Sequence, residues 1–392
     1  MHQIPLEGAA DTFHRWAQKY GDVLYLAIPG RPMTRPDYSD RPYLPLINMY
    51  GWKSSTPTLP YGKELAKHRR MHNAYLSKQK CASQEYKEMQ TEQAEELVGN
   101  LLRAQPGDHD ICLSRFATGL ITQIIAGHKI VSDDDAFLHI SHLIQESAIA
   151  VGRPGASVID FMPFLRHLPR WLPGMATART ADEWRPVIDG IHDTLLRSVR
   201  EKRDAGDISP SYILTYLEEM EARNEKKSSL SSEDEEILKG SAGSMFTAGE
   251  LTNKAQEELD RVVGRDRAPT FEDRSQLPYV ECVLQEVFRW APPVPLGLPH
   301  SLRQDDVYRD MHIPAGTLVF ANIKGMTRET SVYSNAGKFI PERFLSPLAE
   351  PHFPAKFGFG RRVCTGQHFA ENSVWIAKTL ILAKLHHPVC CR

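Results

Sequence analysis

The chain has 392 residues, of which 41% are hydrophobic, 24% charged and 9% aromatic. These are ordinary globular values and exclude a disordered, collagen-like or coiled-coil chain. Forty-seven Lys and Arg against 49 Asp and Glu leave a net charge of -2, so no overall field favours nucleic acid or an anionic membrane as partner. Cys81, Cys112, Cys282, Cys364, Cys390 and Cys391 follow no regular spacing, which predicts thiols in reducing surroundings rather than a secreted disulfide framework.

In chain order, the N-terminus lacks the charged-then-apolar order of a signal peptide. Nowhere does an uncharged apolar run reach the roughly 18 residues of a bilayer-spanning helix. A first strand is predicted at 23–28. Apolar residues at three- and four-residue spacing predict helices over 83–104, 115–126, 187–203, 210–221, 279–290 and 367–385. The charged, serine-rich stretch 226–236 reads as an exposed connection running into Ser232-Glu233-Asp234-Glu235, a capping box that starts another helix. Short strands are expected at 307–308 and 317–321, the second after the turn Ile313-Pro314-Ala315-Gly316. The Pro-rich stretches 153–173 and 291–299 are expected to be shaped loops, because proline removes the donor that a helix interior needs. The sum is a mainly α chain with a small β-sheet in a single domain. Its β-containing part covers about 1–60 and its helical body about 61–392.

The strongest local signal is Phe357-Gly358-Phe359-Gly360-Arg361-Arg362-Val363-Cys364-Thr365-Gly366. This glycine-rich loop delivers one thiol to the start of an amphipathic helix, where unpaired amides and the helix dipole favour thiolate over thiol. Gly360 and Gly366 allow a backbone approach that a β-carbon would block, and Arg362 supplies a fixed cation for an anionic group. A lone cysteine before a helix is more often a small buried hydrophobe; the ten-residue pattern argues for an iron ligand. Phe357, Gly360, Arg362, Cys364 and Gly366 together resemble the cysteine-loop signature of cytochromes P450, with Thr365 where that family often has proline.

Other segments match the same family in the expected order. Glu286 and Arg289 share one face of a helix, and with Arg343 of Phe339-Ile340-Pro341-Glu342-Arg343-Phe344 the resemblance implies a buried charge triad beneath the haem loop. Taken alone, Glu286 and Arg289 would be an ordinary surface pair worth about half a kcal/mol. The stretch 293–303 resembles the segment leading into the substrate-lining strand, with His300 as a haem-propionate contact. Tyr61-Gly62-Lys63-Glu64-Leu65-Ala66-Lys67-His68-Arg69-Arg70 resembles the helix that carries W-x-x-x-R. There Arg69 matches the propionate-binding arginine, while Leu65 replaces the tryptophan and cannot donate its hydrogen bond.

The pattern departs from the family at Ala248-Gly249-Glu250-Leu251-Thr252-Asn253, where the family's distal helix reads A-G-x-D/E-T-T. Glu250 and Thr252 are the candidate proton-delivering residues, with Leu251 at the acid position. The next segment, Lys254-Ala255-Gln256-Glu257-Glu258-Leu259-Asp260, resembles a later helix, so on the order of twenty residues, about 30 Å of helix, are expected to be missing. A strand and a helix are likewise expected to be lost after Gly30-Arg31-Pro32-Met33. The expected fold is therefore an incomplete cytochrome P450 fold, with a shortened distal helix, a lost sheet strand and no C-terminal sheet. The chain is likewise expected to begin after the family's usual membrane anchor.

The resemblance runs from Phe13 to Leu385 and is closest to fungal enzymes of secondary or xenobiotic metabolism. It implies haem b (heme b) with Cys364 as axial thiolate, and insertion of one oxygen atom from O2 into an apolar organic substrate. Electrons would come from NADPH through a cytochrome P450 reductase or similar donor docking on the basic side near 67–70. The location implied is the cytosolic face of the endoplasmic reticulum membrane, or a peripheral or soluble state without the anchor. Two other readings use the same cysteine: a degenerate homologue without turnover, and a haem-thiolate isomerase or peroxygenase. His386, His387, Cys390 and Cys391 are metal ligands by type, but adjacent pairs on a tail rarely converge tetrahedrally. No metal beyond haem iron and no nucleic acid is expected.

Overall fold

The computed structural model describes residues 9–20, 39–105, 109–151, 157–223, 230–243, 267–308, 310–345 and 349–384. The helices in chain order are α1 (Ala9–Tyr20), α2 (Pro45–Met49), α3 (Lys63–Leu76), α4 (Lys78–Cys81), α5 (Gln84–Arg103), α6 (His109–Ala126) and α7 (Ala136–Val151). They continue as α8 (Val158–Phe161), α9 (Ala176–Asp204), α10 (Tyr212–Arg223), α11 (Ser232–Gly243), α12 (Pro278–Trp290), α13 (Ile323–Met326) and α14 (Gln367–Lys384). Strands β1 (His300–Ser301) and β4 (Leu318–Val319) pair antiparallel, as do β2 (Asp306–Tyr308) and β3 (Met311–Ile313). Helix dominates and the sheets are small, as the sequence pattern predicts. The predicted strand at 23–28 lies outside the described residues.

Two apolar cores organise the body. One joins the inner faces of α6, α7, α9, α10 and α11 around Ile188, Leu195, Tyr212, Leu217 and Leu238. The other joins α5, α12 and α14 around Leu97, Val283, Leu284, Trp375 and Leu380. A third cluster, with Leu76, Cys81, Tyr86, Leu120, Ile124 and Phe369, stitches α3 and α4 to α5, α6 and α14. Helices α3 and α14, which flank the cysteine loop, are thus held by packing rather than by the loop itself. The short α13 anchors α1, where Asn322 Nδ2 donates to the Ala10 carbonyl at 2.9 Å and Lys324 meets Asp11 at 2.8 Å.

The structure differs from the sequence pattern at several ends. Helix α9 begins at Ala176, well before 187, and runs through Pro186, because Ala178 and Ala181 are buried against α8 and α2 and the packing outweighs one lost backbone bond. The cap of α11 is Ser231 rather than Ser232: its Oγ accepts from the Asp234 amide at 3.1 Å and bonds the Asp234 carboxylate at 2.9 Å. The side-chain cap therefore sits one residue earlier, and Glu235 pairs with Lys239 and Arg200. Within 153–173 the described part is not wholly loop, since it contains α8 and a 3-10 turn at Pro163–His167 in which Pro163 takes an N-terminal position that needs no donor. The stretch 291–299 carries no regular element. The turn before β4 forms with the Thr317 amide on the Pro314 carbonyl at 3.2 Å and Gly316 at φ +75, the left-handed position that calls for glycine.

Candidate active site

The loop carrying Cys364 is closed by its own backbone. The Cys364 amide donates to the Phe357 carbonyl at 2.9 Å, with tighter turns inside it from Arg362 to Phe359 and from Val363 to Gly360. Gly358 at φ +87 and Gly360 at φ +50 take the left-handed region, which L side chains enter at a cost of about 1–2 kcal/mol. A β-carbon on Gly360 would meet nothing within 4 Å, and one on Gly366 would make only 3.8 Å contacts. Backbone conformation rather than crowding within the chain therefore explains Gly360, and neither explains Gly366. Gly358, passed over in the sequence pattern, is required for the same reason as Gly360.

Two clamps fix the loop to the helices. Lys356 meets Glu371 of α14 at 2.6 Å and Gln285 of α12 at 2.9 Å. The Phe357 ring packs edge-on to Phe288 of α12 at 5.4 Å between centroids. Below them, Glu286, Arg289 and Arg343 come together. Glu286 is wholly buried and receives Arg289 Nε at 2.6 Å and Nη2 at 2.7 Å, Arg343 Nε at 3.3 Å and the Ile340 amide at 2.7 Å. Arg289 spends its remaining donors on the carbonyls of Thr327, Ala336 and Lys338, so all five are satisfied. The sequence pattern missed a fourth member: Glu350 pairs with Arg343 and balances the cluster at two charges of each sign. Glu350 lies outside every motif, and only the fold brings it back.

Cys364 is open on one side and crowded on the other. Much of its surface is exposed, yet the protein packed behind it pushes the thiol upward, opposed by the neighbouring Gly366 backbone N–H and by the nearby Arg69 guanidinium. A bound cation would favour the thiolate. Arg69 reaches the loop itself, with Nη1 donating to the Val363 carbonyl at 2.9 Å. The run 67–70 is consequently not one basic face, since Lys67 pairs with Asp234 at 2.7 Å and His68 is buried. Leu65 is likewise buried.

Arg362 is buried, with Nε on the Ser39 carbonyl at 2.6 Å and Nη2 on the Leu59 carbonyl at 3.0 Å, while Nη1 has no hydrogen-bond partner. Such an orphaned cationic donor is costly unless an anion meets it. The short segment 39–41 links this arginine to His300. Ser301, next to His300 in β1, donates its amide to the Asp40 carbonyl at 3.0 Å, and Arg41 Nη1 reaches the carbonyls of Leu298 and Pro299. Arg303 and Arg362 each stand 4.0 Å from Asp40, and Arg361 lies over the Tyr61 ring beside Arg303. Two guanidinium groups thus approach the one carboxylate. An exposed sulphur and an unpaired buried guanidinium, on one closed loop, fit a flat metal-bearing cofactor with carboxylate arms. Glu250 and Thr252 lie outside the described residues, as do His386, His387, Cys390 and Cys391. Among the described residues no cluster of three or more His, Cys, Asp or Glu could hold a metal ion.

The family model described as Cytochrome P450 matches residues 32–252 and 238–390. The chain belongs to the cytochrome P450 family. Its curated relatives include the cytochrome P450 monooxygenase 136 of Postia placenta, 33% identical across 98% of this chain and 79% of the relative. The monooxygenase claT of Ampulloclitocybe clavipes is 32% identical across 98% and 81%, and the monooxygenase COX2 of Coprinopsis cinerea 29% across 98% and 79%. This P450 is thus an oxidoreductase of the haem-thiolate monooxygenase type. The family match is in two pieces that meet around 238–252, the stretch in which the distal motif departs from the family pattern. The first alignment is 424 positions long, more than the 392 residues present, so some of its positions oppose no residue here. No described helix is long and apolar enough to cross a membrane.

Sequence reasoning also missed a pair of buried histidines on α3. His68 is wholly buried with Nδ1 at 2.9 Å from Thr56 Oγ1, and its Nε2 lacks a partner. Burial, helped by neighbouring His72, drives its pKa from 6.5 to about 3; burial likewise lowers His72 to about 4. Below pH 6.5 the unfolded chain takes up protons that the folded P450 refuses, so stability is complete above that pH and falls through the folded values. His68→Leu is expected to flatten the dependence of stability on pH between 6.5 and 4 by close to one proton, read from urea unfolding at stepped pH. An unchanged slope would show that His68 titrates normally in the fold.

Proposed function

We propose that Cys364 is the axial ligand of a b-type haem and that this P450 inserts one oxygen atom from O2 into an apolar organic substrate. The observation that carries the reading is the joining of an exposed sulphur to a buried, half-paired arginine on one closed loop. When bound, the haem would supply reductive activation of dioxygen, favoured by electron density from a thiolate ligand. Cys364 would hold the iron, with the Gly366 N–H and Arg69 stabilising its charge. The free Nη1 of Arg362 would take one carboxylate arm, and His300 and Arg69 are the further candidates for such contacts. Phe357 packs the loop against α12, and the Glu286, Arg289 and Arg343 cluster holds the base on which it rests.

Proton delivery would fall to Glu250 and Thr252, the residues that stand nearest here to the acid and threonine of the family's distal motif. Electrons would come from NADPH through a cytochrome P450 reductase docking on the cysteine-loop side, where Arg361 is exposed. The resemblance to fungal members of the family supports a place on the cytosolic face of the endoplasmic reticulum and a role in secondary or xenobiotic metabolism. Leu251 at the acid position favours a second reading, a peroxygenase that needs the cysteine but not the relay. Incubation with an apolar substrate panel, given either reductase and NADPH or peroxide alone, separates the two. Product formed only with NADPH and reductase is the expected result; product with peroxide alone would make it a peroxygenase.

A further inference from the structure

We propose that His72 is a positioning residue that latches the turn carrying Cys364 to α11 through the Thr365 hydroxyl. The inference rests on the reading of Cys364 as the iron ligand. His72 is buried on α3, and its ring reaches in two directions. Nδ1 lies 3.3 Å from Thr365 Oγ1, and Nε2 lies 2.9 Å from Ser241 Oγ and 3.1 Å from the Ser241 carbonyl. Ser241, wholly buried on α11, is bonded in turn by the hydroxyl of Tyr212, also wholly buried on α10. A carbonyl can only accept, so Nε2 carries the proton when the ring is neutral, and Nδ1 offers its lone pair to Thr365. The Thr365 hydroxyl therefore donates into a buried chain that ends on two helices.

The end of that chain lies one residue from the sulphur. Cys364 and Gly366 flank Thr365, and the Gly366 N–H lies near enough to the sulphur to favour its charged form. Rotation of the 364–366 turn would carry that donor away. At 3.3 Å the Thr365 bond is long and of modest strength by itself; its hold comes from a partner ring that cannot move, wedged between α3, α10 and α11. Proline at this position would restrain the same backbone through its ring. Threonine lacks that ring, and the bond to His72 supplies the restraint by another route.

The test follows the thiolate-type reduced-CO band of the purified haem-loaded protein as it decays in mild denaturant. Thr365→Val keeps the volume of a partly exposed side chain and removes only the hydroxyl; His72→Phe keeps a ring and removes both nitrogens. Each is expected to speed the decay roughly fivefold, the worth of one hydrogen bond, and the double variant is expected to be no faster than the faster single one. Thr365→Pro is expected to restore slow decay in the His72→Phe background. Wild-type decay in Thr365→Val, or no rescue by proline, would overturn the latch alone. A wild type that binds haem without the thiolate-type band would overturn the reading of Cys364 and the latch with it.

Discussion

Glu286→Ala is expected to cost about 3–5 kcal/mol of stability, a large share of the roughly 5–15 kcal/mol that separates folded from unfolded protein. The carboxylate is the hub of the cluster. Without it, Arg289 retains only carbonyl partners for a wholly buried charge, Arg343 keeps Glu350 as its one carboxylate beside the Ser334 and Lys338 carbonyls, and the Ile340 amide loses its acceptor. Coulomb gain and desolvation nearly cancel while such a cluster is whole, so the penalty appears when one member is removed. Glu286→Gln keeps the shape and one acceptor oxygen and should fall between. Thermal melts and soluble yield measure the series, and a loss under about 1 kcal/mol for Glu286→Ala would mean that the buried charges are held by other means.

Cys364→Ser is expected to have the opposite profile. The side chain is exposed, so melting should shift by less than about 1 kcal/mol. NADPH-supported product formation should drop to background, because a serine hydroxyl offers neither the softness nor the charge of a thiolate ligand. A variant that folds, binds haem and keeps wild-type turnover would remove Cys364 from the chemistry. The two substitutions together separate the base of the loop from its reactive atom.

What could be read from the sequence was what lies close together along it. The cysteine loop is a run of ten residues, and its glycines, arginine and thiol declare their uses from spacing alone, although the reason for Gly366 did not survive inspection of its surroundings. Glu286 and Arg289 are one helical turn apart, and Arg343 was found through its own motif. Glu350 and the segment 39–41 carry no local pattern; they reach the site only through tertiary contacts, as does His72, whose partners Ser241 and Thr365 lie far along the chain. Helix ends were misplaced where packing outweighs local preference, as at Pro186 within α9, or where two serines compete for one cap, as at Ser231. The basic run 67–70 suggested one charged face, but its members point to a carboxylate, a core and a loop carbonyl in turn.

The central claim is that Cys364 ligates haem iron as a thiolate in this chain. The reduced-CO difference spectrum of the purified, haem-reconstituted protein tests it most directly, with Cys364→Ser measured beside it. The expected result is a thiolate-type Soret band in the wild type that vanishes in the serine variant. A haem-loaded wild type lacking that band, or a serine variant that keeps it, would contradict the assignment.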